Sequence, residues 1–141
     1  MTRALLITAL MGGMLAGGCS TAKREAASLV SQVDRYRRAE NVNKTAEAGV
    51  LETVTCTDRD VCEAKDACVK TSRPTGRGLA LKSEVEAALA DLGAGKLTRE
   101  QAGAQSLPGK LEEAQRLLDE GRAALPACDA KVMALRLKYS L

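Results

Sequence analysis

The sequence predicts an all-α fold, a small helical bundle stapled by disulfides, with a long first helix. Apolar residues recur at steps of three and four along most of the 141-residue chain, which is the helical period. No stretch alternates apolar and polar residues as a half-buried strand does. Downstream of Cys19 stand four more cysteines, Cys56, Cys62, Cys68 and Cys128. An even number in a small chain that reads as exported points to two disulfides.

Composition makes those staples useful. The chain has no Phe or Trp and only two Tyr, so its core must be built from Ala, Leu and Val. Such side chains bury less area each than aromatic rings, and a thin core gains most from covalent closure. The length suits one domain, expected over residues 26–141.

The first element is a leader, expected over residues 1–18. Met1-Thr2-Arg3 is a short positive start, and Ala4 to Gly18 then runs without a charge. As a helix that run would span about 22 Å, short of a hydrocarbon core of about 30 Å. An export signal is therefore expected rather than a permanent span. Its end, Leu15-Ala16-Gly17-Gly18-Cys19, resembles the lipobox of bacterial lipoproteins. The resemblance implies cleavage before Cys19, diacylation of its thiol, and acylation of the new N-terminus. Ala16 stands where that family usually carries a branched aliphatic residue. In a Gram-negative cell, Ser20 after the cysteine would imply the outer membrane, facing the periplasm. Residues 19–25 are then the lipidated N-terminus and a short tether, and several acyl chains make stable anchoring. If Cys19 is not acylated, the chain is secreted with a spare thiol.

From Ala22 to about Val54 one long helix is expected, with Leu29, Val33, Tyr36, Ala39, Val42, Ala46 and Val50 as its apolar stripe. Lys23, Arg24, Arg35, Arg37 and Arg38 make its first half basic. Interleaved Glu25, Asp34 and Glu40 favour a solvated face over a membrane patch. A second helix should start near Thr57 or Asp58, where Thr57 and Asp60 have capping-box spacing. It should stop by Ser72, because Arg73 precedes Pro74 and two glycines follow. A third runs from Gly78 to Leu92 with Gly93 as its stop, followed by a turn at Gly93-Ala94-Gly95. Thr98 and Gln101 then open a short piece that Pro108-Gly109 interrupts. Lys110 to Leu125 forms the next helix, and Pro126 marks a kink or a new first turn. The last helix places Cys128, Val132, Leu135 and Tyr139 on one face.

Helix geometry restricts the disulfides. Within one helix, Cys62 and Cys68 have α-carbons about 9 Å apart along the axis, too far to bridge. Cys56, just outside the helix, can fold back onto its first turn. The favoured pairing is Cys56–Cys62 with Cys68–Cys128; Cys56–Cys68 with Cys62–Cys128 is the alternative. In the chain-entropy account the long loop stabilises by about 4 kcal/mol and the short one by about 2 kcal/mol.

The function classes narrow by chemistry. With no histidine in the chain, the commonest general base and metal ligand are missing, as is every Cys-His or Ser-His dyad. Cys-x5-Cys-x5-Cys fits neither a zinc site nor a redox Cys-x-x-Cys, so no metal and no cofactor is expected. Asp58, Asp60, Glu63 and Asp66 form an acid cluster without the glycine of a calcium loop, and read as capping and a solvated face. Glu112-Glu113 and Asp119-Glu120 read as ion-pair partners, for instance Glu112 with Arg116. Gly76-Arg77-Gly78 is too short for a phosphate loop. Tyr36 and Tyr139 are expected in the core, packed together, or with one lining a groove. Removing the leader takes away one charge, Arg3, and lowers the net charge from +3 to +2, which gives no reason to expect nucleic acid. A membrane-anchored, non-enzymatic envelope protein that binds a protein or polymer is therefore expected. The alternative is an exported helical carrier of a small apolar ligand.

Overall fold

The computed structural model describes residues 17–141, with side chains from Thr21 onward. The leader and the Cys19 side chain lie outside the described residues. Helix α1 spans Gly17–Arg38, α2 Lys44–Thr53, α3 Arg59–Gly93 and α4 Leu107–Tyr139, with a 3₁₀ turn at Asn41–Asn43. All regular structure among the described residues is helical. Residues 19–25, expected as a tether, belong to the first turns of α1.

Two helices stand where one was expected over 22–54. α1 buries Leu29, Val33 and Tyr36, the first part of the expected stripe, together with Ala26 and Val30. The helix then stops, because Glu40 takes an extended conformation (φ −64°, ψ 155°) and Asn41 and Asn43 are weak helix formers. Val42 between them is 80% exposed. The break changes the rotational phase, so α2 buries Ala48 and Leu51 and leaves Ala46 and Val50 outside. Lys44 closes the joint. Its ammonium donates to the carbonyls of Tyr36 and Arg37, two of the last acceptors of α1, where the regular helical bonds run out. It also lies 4.6 Å from the centre of the Tyr36 ring. α2 runs antiparallel to α3, held by Thr45 Oγ1 donating to the Gly76 carbonyl (2.9 Å), Arg73 to Glu52 (2.7 Å) and Lys65 to the Val54 carbonyl (3.1 Å).

α3 starts within the expected Thr57–Asp58 window, with Asp58 rather than Thr57 as the cap. The Asp58 carboxylate accepts from the N–H groups of Asp60 and Val61, the usual N-cap arrangement. Thr57 instead donates its N–H and hydroxyl to Glu25, tying the start of α3 to α1. The expected stop at Ser72 is not observed, and α3 continues through Pro74, Gly76 and Gly78 to Gly93. A proline in a helix costs a hydrogen bond and a clash, but here all three residues are buried contact points. A methyl group on Gly76 would lie 3.1 Å from Thr45 Cα, and one on Gly78 2.9 Å from the Ala114 carbonyl oxygen. Residues that read as breakers are where neighbouring helices come closest.

α4 is likewise continuous. Pro108 sits in its first turn, where no N–H is needed, and Pro126 lies inside the helix without ending it. Between α3 and α4 the turn after Gly93 forms as expected, and Thr98 and Gln101 exchange reciprocal capping bonds of 2.9 and 3.2 Å. The two long helices form an antiparallel hairpin whose register is set by Asp60–Lys138, Glu63–Lys131, Cys68–Cys128 and Glu84–Lys110.

The core lies at the open end of this hairpin, where α1 contributes Leu29 and Val33, α2 Leu51, α3 Val61, Ala64 and Cys68, and α4 Cys128, Val132 and Leu135. α3 is about 52 Å long, against about 33 Å for α1. Beyond Gly76, the furthest point at which α2 bonds α3, the hairpin is held by its own buried residues, Val85, Leu107, Ala114 and Leu117.

Gly121 tests the close approach. A methyl group there would meet Thr75 Oγ1 at 2.1 Å and the Thr71 carbonyl oxygen at 2.9 Å, whereas Gly109 has open space around it. Gly121→Ala is expected to destabilise by about 1–3 kcal/mol. Gly109→Ala should stabilise by up to about 1 kcal/mol. Thermal melts followed by circular dichroism on the oxidised protein compare the two.

Candidate interaction surface

The four cysteines downstream of Cys19 form the frame on which any surface is built. Cys56 is bonded to Cys62 (Cα–Cα 5.3 Å) and Cys68 to Cys128 (Cα–Cα 4.6 Å), the pairing that helix spacing favoured. The first ties the connector before α3 to the first turns of that helix. The second crosses the core, with both residues buried, and joins the hairpin's two arms. Among the described residues no group of three or more Cys, Asp or Glu side chains could hold a metal ion. No described helix is long and apolar enough to cross a membrane.

The acid cluster at the start of α3 is dispersed among cations. Asp58 caps the helix, Asp60 meets Lys138 at 2.6 Å, and Glu63 bridges Arg59 (2.9 Å) and Lys131 (2.6 Å). Asp60 raises the Lys138 pKa above its ordinary value. Lys131, then Arg59, hold the Glu63 carboxyl below the usual carboxylate range. On α4, Arg116 pairs with Glu113 and Glu120 rather than with Glu112, and Arg122 with Asp119. The basic half of α1 is partly spent inside the fold, with Arg35 on Glu47 and Arg37 on Asp129.

The two tyrosines lie at different levels of the bundle. Tyr36 is buried near the end of α1, its hydroxyl donating to the Ser72 carbonyl at 3.3 Å, and burial raises its pKa. Tyr139, half-buried, packs against the core near the end of α4. Tyr36 also borders a surface groove of about 380 Å³ with Lys44, Arg37, Arg122, Leu118 and Leu125. A second hollow, of about 740 Å³, sits in the turn region and is lined mainly by polar residues such as Arg99, Glu100 and Gln105. The groove at Tyr36 was not legible in sequence, since it depends on where α1 ends.

No protein-family model matches the chain, and comparison with curated proteins and with solved structures returned no match.

Removing Cys68 and Cys128 together, each to Ala, is expected to lower stability by about 4 kcal/mol, and removing Cys56 and Cys62 by about 2 kcal/mol. Urea unfolding with and without reductant measures both. Several carboxylates also set a pH response. Glu25 is held below the usual range by the Thr57 N–H, the Thr57 hydroxyl and the Asp58 N–H, Glu47 by Gln32 and Arg35, and Glu52 by Arg73. A group whose folded pKa is depressed stabilises fully above its ordinary value near 4.5 and ceases to do so as pH falls through the folded value. Stability is therefore expected to fall on acidification below about pH 4.5. Glu25→Gln should lower stability at neutral pH and flatten that fall, as read from urea midpoints at successive pH values.

Proposed function

We propose that this chain is an exported bacterial lipoprotein, anchored through acylated Cys19 in the cell envelope, that works without catalysis as a partner-binding module. The observation that carries the reading is the pair of disulfides in a core without Phe or Trp. Such bridges form and persist in oxidising compartments, and a leader of the kind ending at Cys19 delivers a chain to one. The outer membrane, facing the periplasm, is the address that Ser20 favours. The surface chemistry supports a binding role. Of the carboxylates that could have served as acid and base, Glu113 and Glu120 pair with Arg116 and Asp119 with Arg122, and Arg116 holds the Glu113 carboxyl below the usual carboxylate range. The alternative, a carrier of a small apolar ligand, has less support, because the 740 Å³ hollow lies in a turn and is lined by Arg99, Glu100, Gln105 and Ser106 with no large apolar side chain.

Growing cells that express the chain with a radioactive fatty acid tests the anchor. Label should enter the wild-type protein, partition with membranes, and vanish with Cys19→Ala. An unlabelled wild-type protein recovered in the soluble periplasm would sink the proposal.

A further inference from the structure

Along α4, Val132, Leu125, Leu118 and Leu111 repeat every seven residues, and positions seven apart share a helix face. Val132 is 2% exposed, lying in the core with α1, but Leu125 is 40% and Leu111 48% exposed. On α3 Cys68 is buried and Leu89, three heptads on, is 54% exposed, with Thr75 and Lys82 at the positions between. The apolar stripe of α4 therefore runs on past α1, which covers only its lower half, and a groove lined by Thr75, Leu118 and Leu125 opens where α1 ends. Asp34–Arg136 and Arg37–Asp129 hold α1 against α4 there. α1 ends at Arg38, and the hairpin runs on beside this stripe for about 21 Å, from Thr75 to Leu89. At the point where α1 stops, Arg37, Lys44 and Arg122 line the groove with no carboxylate among the lining residues. Lys44 itself donates only to neutral carbonyl oxygens, and Arg122 reaches Asp119 at 3.4 Å.

We propose that the upper half of this stripe docks a single amphipathic α-helix of a partner protein, with an apolar stripe and acidic flanks. The proposal rests on the partner-binding reading above and names the partner's chemistry. The docked helix continues the line of α1, laying its apolar residues on Leu111, Leu118 and Leu125 as α1 lays Leu29 and Val33 on the core. The hairpin already packs one helix in this way, so the upper half needs no new backbone geometry. Acidic flanks meet Lys44 and Arg122, which steers association and sets orientation. About four turns fill the available length.

The test uses the full chain with its disulfides intact, reconstituted in neutral phosphatidylcholine vesicles. The probe is a fluorescent helical peptide of about 18 residues, with leucines on one stripe and glutamates on its flanks; a twin carries lysines in their place. Anisotropy should show the glutamate peptide bound about tenfold more tightly than the twin, and the preference should shrink as salt rises from roughly 50 to 500 mM. Arg122→Gln should weaken the glutamate peptide about three- to tenfold and leave the twin unchanged or improved. Leu111→Ser, at an exposed position, should weaken the binding of both. Failure of the glutamate peptide to bind, equal binding of the two, or a dimer in sedimentation that Leu111→Ser dissolves would overturn the proposal. None of those outcomes bears on fatty-acid labelling of Cys19, so the two readings fail separately.

Discussion

The antiparallel contact between α3 and α4, locked by the Cys68–Cys128 bridge, is the constraint to which every other element is fitted. Both cysteines are buried in the core, so the covalent link and the apolar packing act at one place. An aliphatic interior of Leu, Val and Ala tolerates sliding better than one keyed by large rings. The bridge removes that freedom at one level, and Gly78 and Gly121 remove it above, because only a glycine lets the backbones approach there. α1 and α2 then lie against a hairpin whose register is already set.

Charge reinforces the same register without dominating it. Asp60–Lys138, Glu63–Lys131 and Glu84–Lys110 lie at successive levels of the hairpin. Each pair is exposed and individually worth little, yet a shift of one helical turn would misalign all three. Glu25 serves differently, binding the connector before α3 through two N–H groups and a hydroxyl. It joins the beginning of α1 to the beginning of α3, elements more than 30 residues apart in sequence.

Features legible in the sequence were those governed by local chemistry. The helix start at Asp58, the stop at Gly93, the Thr98–Gln101 cap and the Cys128-Val132-Leu135 face follow from capping rules and periodicity. The disulfide pairing was also accessible, because six residues within a helix fix a distance. Pro74 and Gly76 misled because breaker rules describe a helix in water, whereas these residues are buried in a long helix that packs on its neighbours. Pro126 is exposed, and α4 runs through it. The break at Asn41–Asn43 escaped notice because the apolar spacing of Val42, Ala46 and Val50 imitates a continuing helix. Burial of Leu51 against α3 decided the opposite phase. The groove at Tyr36 was hidden for the same reason, since it opens where that break falls.

The bridge between Cys68 and Cys128, 60 residues apart in sequence, also decides how the molecule would answer a mechanical load. Tension applied between the two chain ends passes from one arm to the other through the sulfur atoms. The hairpin tip hangs outside that path, so about 200 Å of contour length stays withheld while the disulfide is intact. Pulling would peel away α1, α2 and the end of α4, and leave the upper stripe and its leucines unstretched.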